Sequence, residues 1–394
     1  MDLVGNIHYY YNIHRILLSS IGLWPYQNLK MKKIQFVISS VVLASSIIIQ
    51  FMKFFTTEYS LDLLLKVLSF AVPCMVFVLK YTSFCFGSET VKSLMESVIS
   101  DWNLLKTDAE LDIIKKHSNF GRLYTLLFAL AMYSGFFLYM LSQFIPNFLD
   151  SVAPRNESRL HNIPLTVEYF VDQQEYYLPI LLHFDIIALV GFTIMISTES
   201  LLLAYIRHAI GMFEISSYRI EHAFDEVLDM MTSQKCCSHC TNIINAVHIH
   251  RRATQFIEFL RSGFVISYFF LVGLGVTSFT VNLLRLFLAA QYLNNLEECI
   301  ISGLLVCGHI YYIFYGNYTS QKLIDHSTDV FHKTYVSQWY NAPLHAQKLL
   351  LFMMQHTIKG SAMTVGSIFV PSLEGFTTLI STSVSYFTVI YSIK

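Results

Sequence analysis

Residues Asn317–Lys394 read NYTSQKLIDHSTDVFHKTYVSQWYNAPLHAQKLLLFMMQHTIKGSAMTVGSIFVPSLEGFTTLISTSVSYFTVIYSIK. A polar and amphipathic run comes first. Two apolar pieces then meet at Lys359-Gly360, and the second is long enough to cross a bilayer. Along it Thr378, Thr382, Ser385, Val389 and Ser392 recur at steps of 4, 3, 4 and 3, which puts them on one helix face. Between them lie Leu379, Ile380, Val384, Phe387, Ile390 and Tyr391, with Ser381, Ser383 and Thr388 as polar exceptions. A stripe that is mostly hydroxyl on a greasy helix must face protein or water, because lipid cannot satisfy it. Close helix packing through small residues is the plain alternative to a water-filled path.

The whole chain supports a membrane reading. Of its 394 residues 54% are hydrophobic and 13% charged, against roughly 25% charged in soluble domains. A net charge of −1 gives no electrostatic footprint for nucleic acid. The seven cysteines are scattered and suggest no disulfide framework. The N-terminus lacks the short apolar core and cleavage site of a signal peptide.

Spans are expected at 34–55, at 61–84 with a bend at Pro73, and at 123–145. The fourth starts near Ile180 and continues as a helix past the membrane toward Asp229. The fifth covers 264–290 and the sixth 299–319, and the split C-terminal helix is the seventh. Residues 85–122, 146–179 and 230–262 read as polar connections. The fold class is therefore all-α, a polytopic membrane protein of seven helices.

Basic residues set the orientation. The segments on the N-terminal side, side A, hold 19 Lys and Arg, and those on the opposite side B hold 3. This puts the N-terminus in the cytoplasm and the C-terminus outside, opposite to the heptahelical G-protein-coupled receptors. Their Asp-Arg-Tyr and Asn-Pro-x-x-Tyr motifs are missing too. In this orientation the sequon at Asn156 is open to glycosylation, and the one at Asn317 is silent.

Cys236-Cys237-Ser238-His239-Cys240, with His248 and His250, has metal-ligand residue types at a spacing that fits no zinc module, so no metal and no cofactor is expected. There is no nucleophile–base pair and no phosphate loop, which argues against an enzyme. Asp185 and Glu199 lie within the fourth helix and need polar neighbours. Lys359 and Glu374 flank the start of the last span.

Several runs together carry a family resemblance: Gln338-Trp339-Tyr340, Gln347-Lys348-Leu349-Leu350-Leu351, Pro371-Ser372-Leu373-Glu374-Gly375-Phe376 and Ser385-Tyr386-Phe387-Thr388-Val389. In this order they resemble the C-terminal signature of the insect odorant receptors. His208-Ala-Ile-Gly211-Met-Phe213-Glu214 and His250-Arg251-Arg252-Ala253 look like the same family, and the resemblance thins before Ile180. It implies a subunit of an odorant-gated, non-selective cation channel, four subunits around one pore, in the plasma membrane of olfactory sensory neurons. It also implies the inverted topology that the basic residues give independently. The expected organisation is a single seven-helix domain: a cytoplasmic N-terminus (1–33), helices 1–6 (34–319), a cytoplasmic anchor (320–360) and a pore-lining last helix (361–394). Residues 207–262 between helices 4 and 5 are short beside the co-receptor's insertion. The chain thus looks like a tuning subunit that works with the odorant receptor co-receptor.

Aligned from the C-terminus, Val389 and Ile393 fall where the family has its apolar constriction, and Ser392 where it has a polar pore residue. Thr382, Ser385 and Glu374 complete the expected pore face. A volatile odorant needs a mostly apolar pocket. Depth and helical spacing select Val67, Phe70, Ala71, Met132, Gly135, Tyr139, Ile186, Leu189, Leu305 and Val306 as its lining. A gustatory receptor is the rival within the superfamily, but Ser385-Tyr386 and the ending Ile393-Lys394 depart from its C-terminal pattern. A secondary transporter would need inverted repeats with broken helices, and none is visible.

Overall fold

The computed structural model describes residues 3–105, 107–144, 166–223, 233–291, 296–366 and 368–393. Among them the regular structure is helical apart from one antiparallel bridge, Val365 to Phe369. The helices are α1 (Leu3–Ser20), α2 (Leu29–Phe51), α3 (Lys53–Thr56), α4 (Leu61–Phe86), α5 (Ser88–Asn103), α6 (Asp108–Ser142), α7 (Tyr177–Glu221), α8 (Ser233–Gln291), α9 (Leu296–Val336), α10 (Leu344–Thr357) and α11 (Leu373–Ile393). Six of them, α2 (extended through α3), α4, α6, α7, α8 and α9, are long and apolar enough to cross a membrane. The α11 helix has 21 residues, of which eight are Ser or Thr.

Local chemistry explains where these helices start. Ser60 accepts a hydrogen bond from Leu63 N at 3.1 Å and caps α4. Thr107 and Glu110 form a reciprocal capping box on α6. Pro73 sits inside α4 without ending it, as neighbouring helices in a membrane permit.

The helices outrun the apolar segments. Residues 85–122 and 230–262, read above as polar connections, are largely helical where described: α5 and the first turns of α6 occupy the former, and α8 runs unbroken through the latter from Ser233. Their polarity reflects amphipathic faces that pack on one another at side A, where they form the largest core around Trp102, Tyr205, Ile210, Phe213, Ile249 and Leu260. The α7 helix is central, with 50% of its most apolar stretch buried, whereas only 6% of the corresponding stretch of α6 is buried. The bundle is therefore dense at side A and open around α6 at side B.

Buried charges lock the dense end. Asp101 of α5, 2% exposed, accepts hydrogen bonds from His208 of α7 at 3.0 Å and from Arg252 of α8. Arg219 of α7 grips Glu110 of α6 through two bonds of 2.7 and 3.0 Å. Glu214 pairs with His117 at 2.7 Å, and chiefly that bond holds its carboxyl down to about 2. A Cβ at Gly211 would come within 2.8 Å of Ile114 Cδ1, so the Ile114 side chain would have to move to admit one. The two upstream runs, His208–Glu214 and His250–Ala253, are thus the joint between α5, α6, α7 and α8.

The C-terminal break falls where the sequence puts it, but the last helix starts later than residue 361. The α10 helix ends at Thr357, and Gly360 takes a left-handed φ of +62° with its Cβ position 2.9 Å from Thr328. Residues 361–366 and 368–372 are non-helical, and α11 starts just after Pro371, which donates no backbone hydrogen bond, with Ser372 as its cap. Ser372 Oγ accepts from Gly375 N at 3.0 Å, and α11 begins at Leu373.

Candidate functional site

The Pro371–Phe376 run is a docking joint between α9 and α11. Asn317 of α9 is 5% exposed; its Oδ1 accepts from Ser372 N at 3.0 Å and its amide donates to Ile313 O at 2.8 Å. A Cβ at Gly375 would lie 2.6 Å from Val370 O and 3.0 Å from Asn317 Oδ1. Phe376 packs edge-on against Phe314 with centroids 5.4 Å apart. The Asn317 sequon is therefore occupied by internal bonding and has no room for a glycan. Asn156 lies outside the described residues.

From this joint α11 runs along α8. Thr280 Oγ1 donates to Ser383 O at 3.3 Å. Phe387 meets Phe287 at 5.5 Å, and Tyr391 meets Phe287 at 4.9 Å and accepts from Gln291 at 3.0 Å. Phe387 also packs on the small core of Leu65, Val281 and Leu284. These contacts fix which way the opposite face points. Thr378, Ser385, Val389 (55% exposed) and Ser392 are exposed and Thr382 is half-buried, so the stripe faces away from the chain's own bundle. Thr377, Thr378, Ser381, Thr382, Ser385 and Tyr386 line an open groove of ≈ 520 Å³ on that side. Glu374 is exposed at its mouth, and the side chain of Ile393 lies outside the described residues.

The hydroxyls have a common polarity. Thr378 donates to Glu374 O at 3.0 Å, Ser385 to Ser381 O at 2.8 Å and Ser392 to Val389 O at 2.8 Å. Each proton is spent within the helix, so the oxygen lone pairs are what this face offers to water or to a cation.

The ten residues selected for a ligand pocket are spread among different environments. Val67 and Ala71 are buried against Phe51 and Phe54. Phe70 points toward α8, beneath the Arg285 guanidinium at 5.6 Å. Met132 and Tyr139 are half-buried on α6, as is Leu305 on α9, and Val306 is 7% exposed. Ile186 (41%) and Leu189 (45%) are exposed, and a Cβ on Gly135 would meet nothing within 4 Å. Spacing left the rotation of each helix open, because side-B helices that are apolar all round look alike from every face.

The sequence reading marked Glu199 as needing polar neighbours but did not name the partners in the two polar clusters inside the bundle. Arg285 pairs with Glu298 at 3.2 Å and donates to Ser69 at 2.9 Å, and Ser69 donates to Asn282 at 2.6 Å. Lys80 of α4 pairs with Glu199 of α7, to which Tyr312 of α9 also donates at 2.8 Å. The signal for both was a lone charge within an expected span. Among the described residues no group of three or more His, Cys, Asp or Glu is placed to hold a metal ion. The side chains of Cys236, Cys237, His239 and Cys240 lie outside the described residues.

A helical membrane bundle whose last helix turns a polar face away from its own chain is the class that this geometry defines. The family model described as 7tm Odorant receptor matches residues 60–384, and the chain belongs to that family. Its members are receptors, not enzymes. The fold is similar to that of the insect olfactory receptor OR5 from Machilis hrabei in complex with eugenol, with a TM-score of 0.80 at 13% identity over 100% of both chains. A second structure of the same receptor gives 0.77 at 12% identity, again over 100% of both chains. The seven-helix membrane fold expected from the sequence is borne out. No curated protein matches the sequence.

Proposed function

We propose that this chain is the odorant-tuning subunit of an odorant-gated cation channel, acting with the odorant receptor co-receptor in the plasma membrane of olfactory sensory neurons. The orientation of the α11 stripe carries this reading. A spanning helix cannot leave a hydroxyl face to lipid. Among the described residues nothing of the chain covers this face, so other subunits and water would supply the cover. Lone pairs facing a water path favour cations over anions. Val389, one turn below Ser392, stands where an apolar ring would empty of water and close the path until the helices part. The titled eugenol complex of the Machilis hrabei receptor supports a small organic ligand for this fold. The open side-B end around α6 and α7 is where the odorant would enter, and α9's tail with α10 (320–360) would anchor the subunits in the cytoplasm. Opening is a population shift, since an odorant acts only by binding the open state better.

Co-expression tests it. The chain alone should give little odorant-evoked current, and adding the co-receptor should restore it. In that complex Val389→Ser should wet the constriction and raise leak current. Robust current from the chain alone would sink the subunit assignment. Unaltered leak, together with a cysteine at 389 that thiol reagents cannot reach in the open state, would mean that this face packs against protein.

A further inference from the structure

Three acids are buried among the described residues: Asp101, Glu110 and Asp185. The first two are held by arginines. Asp185, 9% exposed, has an Oδ1 with neither solvent nor a hydrogen-bond partner. It lies eight residues below Tyr177 on α7, roughly 12 Å into the bundle from side B at ~1.5 Å per residue. The nearest basic side chain in sequence, His183, is committed elsewhere: one ring nitrogen meets Ser45 at 3.0 Å and the other Tyr169 at 2.8 Å. An unpaired carboxylate in so dry a place is strongly disfavoured, so the site has an unmet demand for a cation or a strong donor.

The surroundings suit one. Tyr177, 6% exposed, donates across the α6–α7 seam to Gln143 at 3.4 Å, and Tyr139 stands half-buried one turn before Gln143 on α6. Deeper in the same α6–α7 seam, Phe136 meets Phe192 edge-on at 5.9 Å and Tyr133 bonds Thr193 at 3.0 Å. Gly135, one turn from Tyr139 on α6, leaves open space. Aromatic faces around a buried acid are the arrangement that binds ammonium groups, through ring quadrupoles and one ion pair.

We propose that Asp185 anchors a small amine between α6 and α7, with Tyr139 and Tyr177 against its charged head. The inference rests on the odorant-receptor reading and names the ligand class: a volatile primary amine in preference to the alcohol of the same skeleton. On binding, the ammonium donates to the orphaned oxygen and each charge satisfies the other.

The test uses the full-length protein in lipid nanodiscs, with binding read from ligand-dependent thermal unfolding. The probes are 2-phenylethylamine and isopentylamine, each against its alcohol counterpart. The amines should bind about tenfold or more tightly than the alcohols. Asp185→Asn should erase that preference, while melting at least as high as the wild type without ligand. Tyr139→Phe should keep the preference and Tyr139→Leu should weaken it, a pair that decides the matter even if Asp185→Asn folds poorly. Equal affinity for amine and alcohol, no binding of either amine, or an amine preference that survives Asp185→Asn would overturn the proposal. Amine binding that evokes no current in cells carrying the co-receptor would uphold the site and overturn the channel reading instead.

Discussion

Replacing Lys80 by Met would test how the buried ion pair holds the middle of the bundle. The Lys80 side chain is 3% exposed and that of Glu199 is 22% exposed, and Tyr312 is the other donor to the same carboxylate. Removing the ammonium leaves Glu199 with a single neutral donor in a largely dry site. Breaking a fully buried pair costs about 3–5 kcal/mol. The partial exposure of Glu199 reduces this to roughly 2–4 kcal/mol, because water relieves part of the stranded charge. Glu199→Leu alone should cost a similar amount, since it strands the ammonium of Lys80. The double variant should return to within about 1 kcal/mol of the wild type, because two apolar side chains of similar volume need no partner. Thermal unfolding of nanodisc-embedded protein reads all three, with surface labelling of cells as a second measure. Single variants that each fall by less than about 0.5 kcal/mol, or a double variant as weak as the sum of the singles, would refute the argument. Either result would mean that water reaches the pair and that it adds nothing to the bundle.

Gly375→Ala should destabilise the α9–α11 joint by about 1–3 kcal/mol, since its Cβ would press on backbone and on Asn317 rather than on a flexible side chain; an unchanged melting temperature and surface level would count against that crowding. His250, 9% exposed beside Phe213 at 5.5 Å and near His356, is held down to about 4 by burial, from 6.5 when unfolded. Between those values the unfolded chain holds more protons, so stability should fall as pH drops from about 6.5 to about 4, by at most roughly 3 kcal/mol. His250→Phe should flatten that slope, and a slope identical to the wild type's would exclude His250 as its source. For topology, Asn156 should carry glycan and Asn317 none; an N-terminal tag that labels on intact cells would reverse the orientation.

The sequence displayed the fold through period and hydropathy, and its failures have physical reasons. Apolar runs marked where lipid or core must be, so six spans and the break at Gly360 were legible. Polarity was misleading at 85–122 and 230–262, because an amphipathic helix packing on its neighbours outside the membrane reads like a loop when only mean hydropathy is weighed. The polar stripe on α11 was legible because most of its residues are hydroxyl-bearing on a largely apolar helix. The pocket was not, since Val67, Gly135 and Ile186 share an apolar character whichever way the helix is turned. Charges are the exception to that ambiguity. Lys80, Asp185, Glu199 and Arg285 each had to find a partner or lack one, and a single chain cannot say which until the helices are brought together. Three of the four are paired within the bundle. Of these four, Asp185 is the one whose buried oxygen finds no partner among the described residues, and that is why the amine proposal is centred on it.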